Sequence, residues 1–524
     1  MHYDQARWTE DEDRYEPLLS EKDATAVSTD DSPLPDDLTR DSLELPALSE
    51  PELARHYTRL SQTNYGVDSG PFPLGSCTMK YNPKFTEALA GDARAALHPD
   101  RPEETAQGTL AVMHRLQDCL GRIGGMDAVS LQPPAGAAGE FAGILVAKAY
   151  HEENGDDERS EVIVPDSAHG TNFASAAMAG YDVVELASDD DRRLDLAALE
   201  AAVGDETAAL MLTNPNTLGL FERDIEAIAD VVHDAGGLLY YDGANLNALL
   251  GRARPGDMGF DIMHFNLHKT FATPHGGGGP GAGPIGVTEE LAEFLPRPQV
   301  REREAERSEA SDGASGSERS ERHASRETPT AGRSLEESER EPSEARRHAS
   351  REDGDSSEEY ELFEPEHSIG KVHGFQGNWQ VLLRAYGYIA RLGDEGLRDA
   401  SAKAVLNANY LAEQVDFEVP FGPFHHEFVA SAGDRDAADV AKRMLDYGVH
   451  PPTTKWPEIV PEALMTEPTE AESKRTLDQL ADAFDAVAAE DDETLATAPQ
   501  STAARRIDQV AAAREPRLSW RSLD

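Results

Sequence analysis

Between residues 160 and 290 the chain alternates short apolar runs with stretches of helical spacing, and this alternation narrows the fold more than any other feature of its 524 residues. The apolar runs lie at 162–164, 183–186, 209–213, 238–241 and 262–267, and helical spacing fills 172–180, 195–203 and 225–235. Strands that return parallel to their neighbours need long crossovers, which helices supply. The pattern therefore predicts an α/β fold whose mostly parallel sheet is covered on both faces. Ligands of such sheets bind beyond the carboxyl ends of the strands. Polar residues sit at those ends: His169 follows the first run, Asn214 the third, Asp242 and Asn245 the fourth, and His268 and Lys269 the fifth.

Of these, Lys269 carries the most chemistry. An ammonium is strongly hydrated, so one delivered to the rim of a buried strand either snorkels or is held there as an amine nucleophile. The glycines at 276–279 let the backbone that follows approach a ligand closely. Upstream, the small residues at 135–139 lead directly into an apolar-periodic helix, whose first-turn N–H groups are then open to an anion. This turn, with Ala137, Ala138 and Gly139, lacks both the Gly-Lys-Ser/Thr ending of a nucleotide P-loop and the dinucleotide glycine spacing. A phosphate on a smaller cofactor fits it better.

Each residue alone has a structural reading: Asp242 as a helix cap, His169 as a satisfied core histidine, Asn214-Pro215 as a turn, and the small residues as a site of close helix packing. Together they meet the needs of pyridoxal 5'-phosphate. Lys269 is an amine for its aldehyde, Asp242 a carboxylate for its ring nitrogen, Asn214 a donor for its ring oxygen and His169 a planar group over its ring. The 135–139 turn supplies donors for its phosphate.

The order and spacing of these residues resemble fold-type I (aspartate aminotransferase-like) pyridoxal phosphate enzymes. Longer motifs narrow the resemblance: Pro71-Phe-Pro-Leu-Gly-Ser-Cys-Thr-Met-Lys-Tyr-Asn-Pro83, Val164-Pro-Asp-Ser-Ala-His-Gly-Thr-Asn172, Leu212-Thr-Asn-Pro-Asn-Thr-Leu-Gly-Leu-Phe221, Tyr240-Tyr-Asp-Gly-Ala-Asn-Leu-Asn247 and Asn266-Leu-His-Lys-Thr-Phe271. These are similar to glycine dehydrogenase (decarboxylating), the P-protein of the glycine cleavage system, and within it to subunit 2, the lysine-bearing half of the two-chain form. The likeness spans residues 50–295 and 360–485. It implies a large domain on a mostly parallel seven-stranded sheet and a smaller C-terminal α/β domain. It further implies that glycine loses its carboxylate as CO2 and passes its aminomethyl group to the lipoyl arm of the H-protein.

The same resemblance assigns Lys269 as the Schiff-base lysine and His169 as its catalytic companion. Asp242, Asn214, His268 and Asn245 surround the cofactor, and the amides of Ala137, Ala138 and Gly139 meet its phosphate. Thr78 and Lys80, on the 71–83 loop, become candidate substrate contacts, and no metal is called for. The partners implied are subunit 1, with two copies of each chain, and the lipoylated H-protein. Two positions depart from the family pattern: Pro134 stands where an alanine is usual, and Ala138 where Gln or His is usual. A backbone cradle tolerates Ala138, although any side-chain contact from that position is lost.

Composition bounds the remainder. The 48 Lys and Arg against 99 Asp and Glu give a formal charge of −51, which argues against nucleic acid or an anionic membrane as a partner. The acids are spread along the chain, a pattern suited to high salt, where self-repulsion is screened. Only Cys77 and Cys119 are present, so no disulfide framework is implied. With no apolar run of about 18 residues and no apolar signal near the N-terminus, a cytoplasmic location is expected.

Residues 1–48 read as a partly disordered arm, 49–300 as the cofactor domain, 359–492 as the small domain and 493–524 as a tail. Between the domains, 301–358 is rich in Glu, Arg, Ser and Asp, and Leu335 is its only aliphatic residue besides alanine. Such a segment buries too little apolar surface to offset its ordering entropy, so disorder is expected. After it, helical spacing returns at 379–392, 399–415, 436–447 and 473–489, with a strand at 428–430.

Two rival readings differ in class. One is another fold-type I enzyme, an aminotransferase or a cysteine desulfurase. The desulfurase needs a mobile nucleophilic cysteine, for which neither Cys77 nor Cys119 has an obvious loop context. The other is a non-catalytic structural subunit. A scaffold, however, has no use for a paired amine and carboxylate such as Lys269 and Asp242.

Overall fold

The computed structural model describes residues 16–22, 27–28, 33–39, 42–43, 46–96, 98, 101–275, 281–303, 359–502 and 505–516. The glycines at 276–279 and the insertion between 304 and 358 lie outside the described residues.

Seven strands form the central sheet, in the order Ala128–Ser130, Ile285–Val287, Ile262–His264, Leu238–Asp242, Thr207–Thr213, Glu161–Pro165 and Asp182–Leu186. Ile285–Val287 runs antiparallel to both of its neighbours, and the other pairings are parallel. The inner strands are buried on both faces, so they read as continuous apolar runs instead of alternating ones. Val162, Val164, Met211 and Tyr240 pack on one face beneath helices Gly136–Asn154 and Gly170–Met178. Ile163, Leu210, Leu239 and Tyr241 point to the other face, beneath Glu103–Gly124 and Ile225–Asp234.

The lysine strand is shorter than its apolar run. It ends at His264, and a one-turn helix, Leu267–Thr270, carries Lys269. Phe265 and Leu267 are fully buried by tertiary packing, so apolar character continues past the last strand residue. Apolarity reports burial and not strand geometry. The strands Ala128–Ser130, Ile285–Val287 and Ala463–Thr466, three or four residues each, were too short to stand out by periodicity.

A second, antiparallel sheet places Ala463–Thr466 between Phe428–Ser431 and Thr453–Thr454. Helices Ala437–Asp446 and Lys474–Ala488 complete its core. The long helix Trp379–Ala412 joins the two cores and breaks at Gly393, whose φ is 61° and ψ −173°. Before the break, Leu382, Ala385, Tyr388 and Ile389 pack into the core of the large sheet; near the far end, Ala408 and Leu411 pack into the small one. Residues from Tyr360 to Leu397, read from sequence as part of the second unit, thus contribute to the first core.

The ends of the insertion meet. Gln299–Glu302 pairs antiparallel with Tyr360–Phe363, and the Arg303 N–H donates to the Glu359 carbonyl at 2.7 Å. Arg301 and Glu302, expected to be disordered, are therefore ladder residues, since the hairpin supplies the hydrogen bonds that their polar side chains did not foretell. Replacing 304–358 with a two-residue Asn-Gly turn closes this ladder with a favoured connection. The shortened chain is expected to unfold at the same denaturant midpoint and to bind the cofactor as before. A large loss of either would make the insertion a working part of the protein. Among the described residues, no helix is long and apolar enough to cross a membrane.

Candidate active site

A cavity of about 480 Å³ opens at the carboxyl ends of the central strands, within the roughly 300–1,000 Å³ of small-molecule sites. Six of the residues singled out from sequence line it: Lys269, Asp242, His169, His268, Asn245 and Ala137. Lys269 is half-buried on its helical turn, and its ammonium makes no hydrogen bond to a described residue. An amine without a partner facing a cavity is available for chemistry.

Asp242 is the last residue of its strand and 2 % exposed. Its carboxylate accepts from Asn172 Nδ2 at 2.9 Å, the Ala244 N–H at 3.0 Å and Thr213 Oγ1 at 3.3 Å, and lies 3.5 Å from His264 Nε2. Burial alone would raise its pKa, but His264, the Asn172 amide, Lys269 and the Ala244 N–H together hold it below the usual carboxylate range. Burial pushes His264 itself down to about 4. At neutral pH that ring is uncharged, and the hydrogen bonds and Lys269 keep Asp242 ionised.

His169 follows the Glu161–Pro165 strand and caps the next helix, accepting from the Thr171 N–H at 3.3 Å, with Thr171 Oγ1 2.8 Å from its Nδ1. Its ring is open to the cavity, yet the surrounding walls desolvate it. Its pKa is therefore lowered despite Asp242, and Lys269 lowers it further. Burial, then Lys269 and His275, push His268 down to about 3. Both rings are neutral at physiological pH and available for stacking or hydrogen bonding.

The helix Gly136–Asn154 starts at the cavity, where Ala135, Gly136 and Ala137 form the wall. A Cβ on Gly136 would come within 2.2 Å of Asn266 Oδ1, so only glycine lets the helix start press against the lysine turn. The arrangement corrects the phosphate assignment. The Gly139 N–H donates to the Ala135 carbonyl at 2.9 Å, and neither Gly139 nor Ala138 lines the cavity. Gly136 and Ala137 of the same turn do line the cavity, and the first turn offers their N–H groups no acceptor within the helix.

Three further expectations change. Asn214 is fully buried and off the cavity wall, between Thr213 and Thr217, which line it; its Oδ1 accepts from the Glu222 N–H, and its Nδ2, the donor sought from sequence, has no partner among the described residues. Thr78 Oγ1 is held by Glu467 at 2.7 Å. The Lys80 ammonium spends its three donors on Asn247 Oδ1 (2.8 Å), the Thr270 carbonyl (3.0 Å) and Glu470 Oε1 (2.6 Å). Thr78 and Lys80 are thus struts behind the wall, and Lys80 ties the lysine turn to the small sheet. From their loop, Ser76 and Cys77 reach the cavity. The Asn245 amide is taken by the Pro215 and Asn216 carbonyls and Glu427 Oε1.

Sequence reasoning missed Glu140, Asn172 and Glu427. Glu140 lines the cavity, with Oε1 accepting from Thr171 Oγ1 at 3.0 Å and Oε2 lacking a partner among the described residues. Burial, reinforced by Asp242 and offset in part by Thr171 and Lys269, pushes it up to about 8. Glu140 lies in the second turn of an otherwise apolar helix, past the first-turn positions where an acid draws notice, and no local pattern marks it. Asn172 lay inside a motif already noted, and only its 2.9 Å bond to Asp242 reveals its use.

The donor set fits pyridoxal 5'-phosphate. The free amine of Lys269, the ionised Asp242, the open amides at a glycine-walled helix start and the neutral His169 ring all border one cavity.

Comparisons with known proteins agree with this geometry. Residues 136–295 match the family described as aminotransferase class-V, and 400–507 the one described as glycine dehydrogenase, C-terminal domain. The chain is 70 % identical over 524 residues, all of both chains, to a probable glycine dehydrogenase (decarboxylating) subunit 2 of Halobacterium salinarum. It is 50 % identical over 498 residues, 94 % of each chain, to the protein so named in Thermoplasma volcanium. Among solved structures it superposes on an inhibitor-bound glycine decarboxylase (P-protein) of the glycine cleavage system with a TM-score of 0.65 and 22 % identity, covering 87 % of this chain and 93 % of that one. A cysteine desulfurase from Escherichia coli gives 0.54 at 15 % identity, covering 80 % and 95 %. At such identities these two likenesses show the fold alone, the fold-type I architecture. The full-length identities to relatives that span the whole chain go further: the chain belongs to the family of glycine dehydrogenase (decarboxylating) subunit 2.

Proposed function

We propose that this chain decarboxylates glycine with pyridoxal 5'-phosphate and passes the remaining aminomethyl group to the lipoyl arm of an H-protein, as the lysine-bearing subunit of a two-chain enzyme. The observation that carries the reading is the pairing of an unpartnered Lys269 amine with an ionised, fully buried Asp242 in one cavity. When bound, the cofactor supplies an aldehyde for an amine and a ring that accepts the electron pair left by departing CO2. Lys269 holds that aldehyde between turnovers. Asp242 keeps the ring nitrogen protonated, and the Gly136 and Ala137 amides receive the phosphate. His169 is the flat neutral side chain available to cover the ring, anchored through Thr171 to Glu140.

A desulfurase reading is disfavoured by Cys77. Its thiol lines the cavity, but burial pushes its pKa up, with Lys269 opposing the rise in part and Glu467 adding to it, so the nucleophilic thiolate is scarce.

The relatives' designation as subunit 2 implies a companion subunit 1, and two copies of each chain is the assembly we infer. Tyr57, Tyr81, Phe85 and Leu89 are exposed, the last two on one helix, Lys84–Ala90, and offer apolar surface for that contact. The test is glycine–bicarbonate exchange in molar-range salt, with the chain alone, with subunit 1, and with subunit 1 plus lipoylated H-protein. Exchange is expected only in the complete mixture. Full exchange from the isolated chain would overturn the need for partners, and silence in the complete mixture would overturn the reaction.

A further inference from the structure

The small sheet brings two carboxyl groups together at the cavity wall. Its register pairs Phe428 with Thr466, and one step further along lie Glu427 and Glu467. Their side-chain oxygens, with a His426 ring nitrogen, fall within 4.8 Å of one another, and the two acids are 0 % and 1 % exposed to solvent. Like charges set side by side across strands repel, and in the interior they do not both ionise near neutral pH. Their partners differ. Glu427 accepts from the Ser76 N–H at 3.0 Å and Asn245 Nδ2 at 3.1 Å, and it reaches the cavity that holds Lys269. Glu467 lies behind it, with Thr78 Oγ1 2.7 and 2.8 Å from its two oxygens.

We propose that Glu427 is the proton acceptor for the ammonium group of the amino acid substrate, and that Glu467 is a positioning acid that stays protonated behind it. The inference rests on the reading of the cavity as an amino acid site. In the step, one N–H bond of the substrate ammonium breaks and an O–H bond forms on Glu427. The electron pair stays on nitrogen, which becomes a neutral nucleophilic amine. No oxidant or reductant takes part.

The surroundings suit an acceptor. Burial raises Glu427 to about 7, against the Ser76 N–H, Lys269 and Asn245, so its carboxylate is populated just above neutrality. Glu467 is raised well beyond the usual carboxylate range by burial and by Glu427, despite Thr78, Lys80 and Lys269. Other titratable groups add little. His426 is held neutral by burial, down to about 3; Cys77 remains a thiol; and Lys80 is bound to Glu470. Lys269 is the one nearby cation among these described groups that is left facing the cavity.

The test uses the complete enzyme with its partner subunit. In the wild type, kcat/KM for glycine and the glycine-induced change in cofactor absorbance should both rise with pH through about 7. Glu427→Gln should remove that limb and lower kcat/KM by about 10²-fold above it, while borohydride still fixes the cofactor to Lys269. Glu467→Gln should keep the limb, because a neutral amide stands in for a neutral acid. Infrared difference spectra of the apoprotein, wild type minus Glu467→Gln, add a readout independent of turnover and of the cofactor: at neutral pH a protonated-carboxyl component is lost with Glu467, while that of Glu140 remains. A limb that survives in Glu427→Gln, or an infrared band unchanged by Glu467→Gln, would overturn the assignment. Should Glu427→Gln not fold, the infrared comparison decides. Failure of borohydride to fix cofactor on wild-type Lys269 would instead refute the functional reading, and would leave the infrared result standing by itself.

Discussion

In the Lys269→Ala variant, borohydride reduction leaves no cofactor attached, the visible absorbance of the holoprotein is gone, and turnover falls to background. The expectation follows from geometry. Lys269 is the amine that lines the cavity without a hydrogen-bond partner among the described residues. Lys80, on the loop that brings Ser76 and Cys77 to the cavity, is 3 % exposed, and its three donors are held by Asn247, Thr270 and Glu470. Burial opposes the Lys80 charge, but Glu470 and Tyr388 outweigh it and raise its pKa, so it does not become a free amine. Truncating Lys269 breaks no hydrogen bond, so the variant should fold, and its stability loss should come from the buried Asp242 carboxylate losing a neighbouring cation. Peptide mapping of the borohydride-treated wild type checks the assignment, and a reduced cofactor on any lysine other than Lys269 would refute it.

Asp242→Asn should separate cofactor capture from catalysis. The shape is kept and Lys269 is untouched, so the cofactor should still be fixed by borohydride. The charge that holds the ring nitrogen protonated is lost, however, and turnover should fall by about 10²- to 10³-fold, the scale of losing one preorganised electrostatic partner. A second readout is independent of turnover. Glu140 stands at about 8 through burial and then through Asp242, so removing that charge should lower the Glu140 pKa. Stability carries a matching sign. The Asp242 pKa is depressed in the folded protein, so its contribution is present above the ordinary carboxylate range and lost as pH falls through the folded value. The variant should lack that acid-side decline. Wild-type turnover in Asp242→Asn, or an unmoved Glu140, would refute this account of the pair.

The strand-end residues were legible because the parallel sheet leaves few alternatives. Buried strands appear as apolar runs, and the residue after each run must leave the core at the same edge. Asp242, His169 and Lys269 were found in this way. Asn214 obeyed the same rule, yet it sits behind the cavity wall, where its Oδ1 is taken by the Glu222 N–H and its Nδ2 has no partner among the described residues. Thr78 and Lys80 sit in a motif dense with polar groups, but their partners, Glu467 and Glu470, are nearly 400 residues away along the chain. No local pattern can announce such a pairing.

The residue order alone determined the α/β class, the edge of the sheet where a ligand would sit, the lysine and the aspartate that face each other there, and the small-residue helix start beside them. These follow from local rules: periodicity, burial of apolar runs and the open amides of a first helical turn. Only the tertiary structure decided which amides of that turn stay open, where the lysine strand ends, and which carboxyl groups remain protonated. Asp242 and Glu140 carry the same functional group in one cavity, yet one is held ionised and the other is raised to about 8. The difference lies in their surroundings. Three donors converge on Asp242, whereas Glu140 has one donor and Asp242 as its neighbour. Protonation depends on desolvation and on groups that folding gathers from distant parts of the chain, so it becomes readable only once those groups have a place in space.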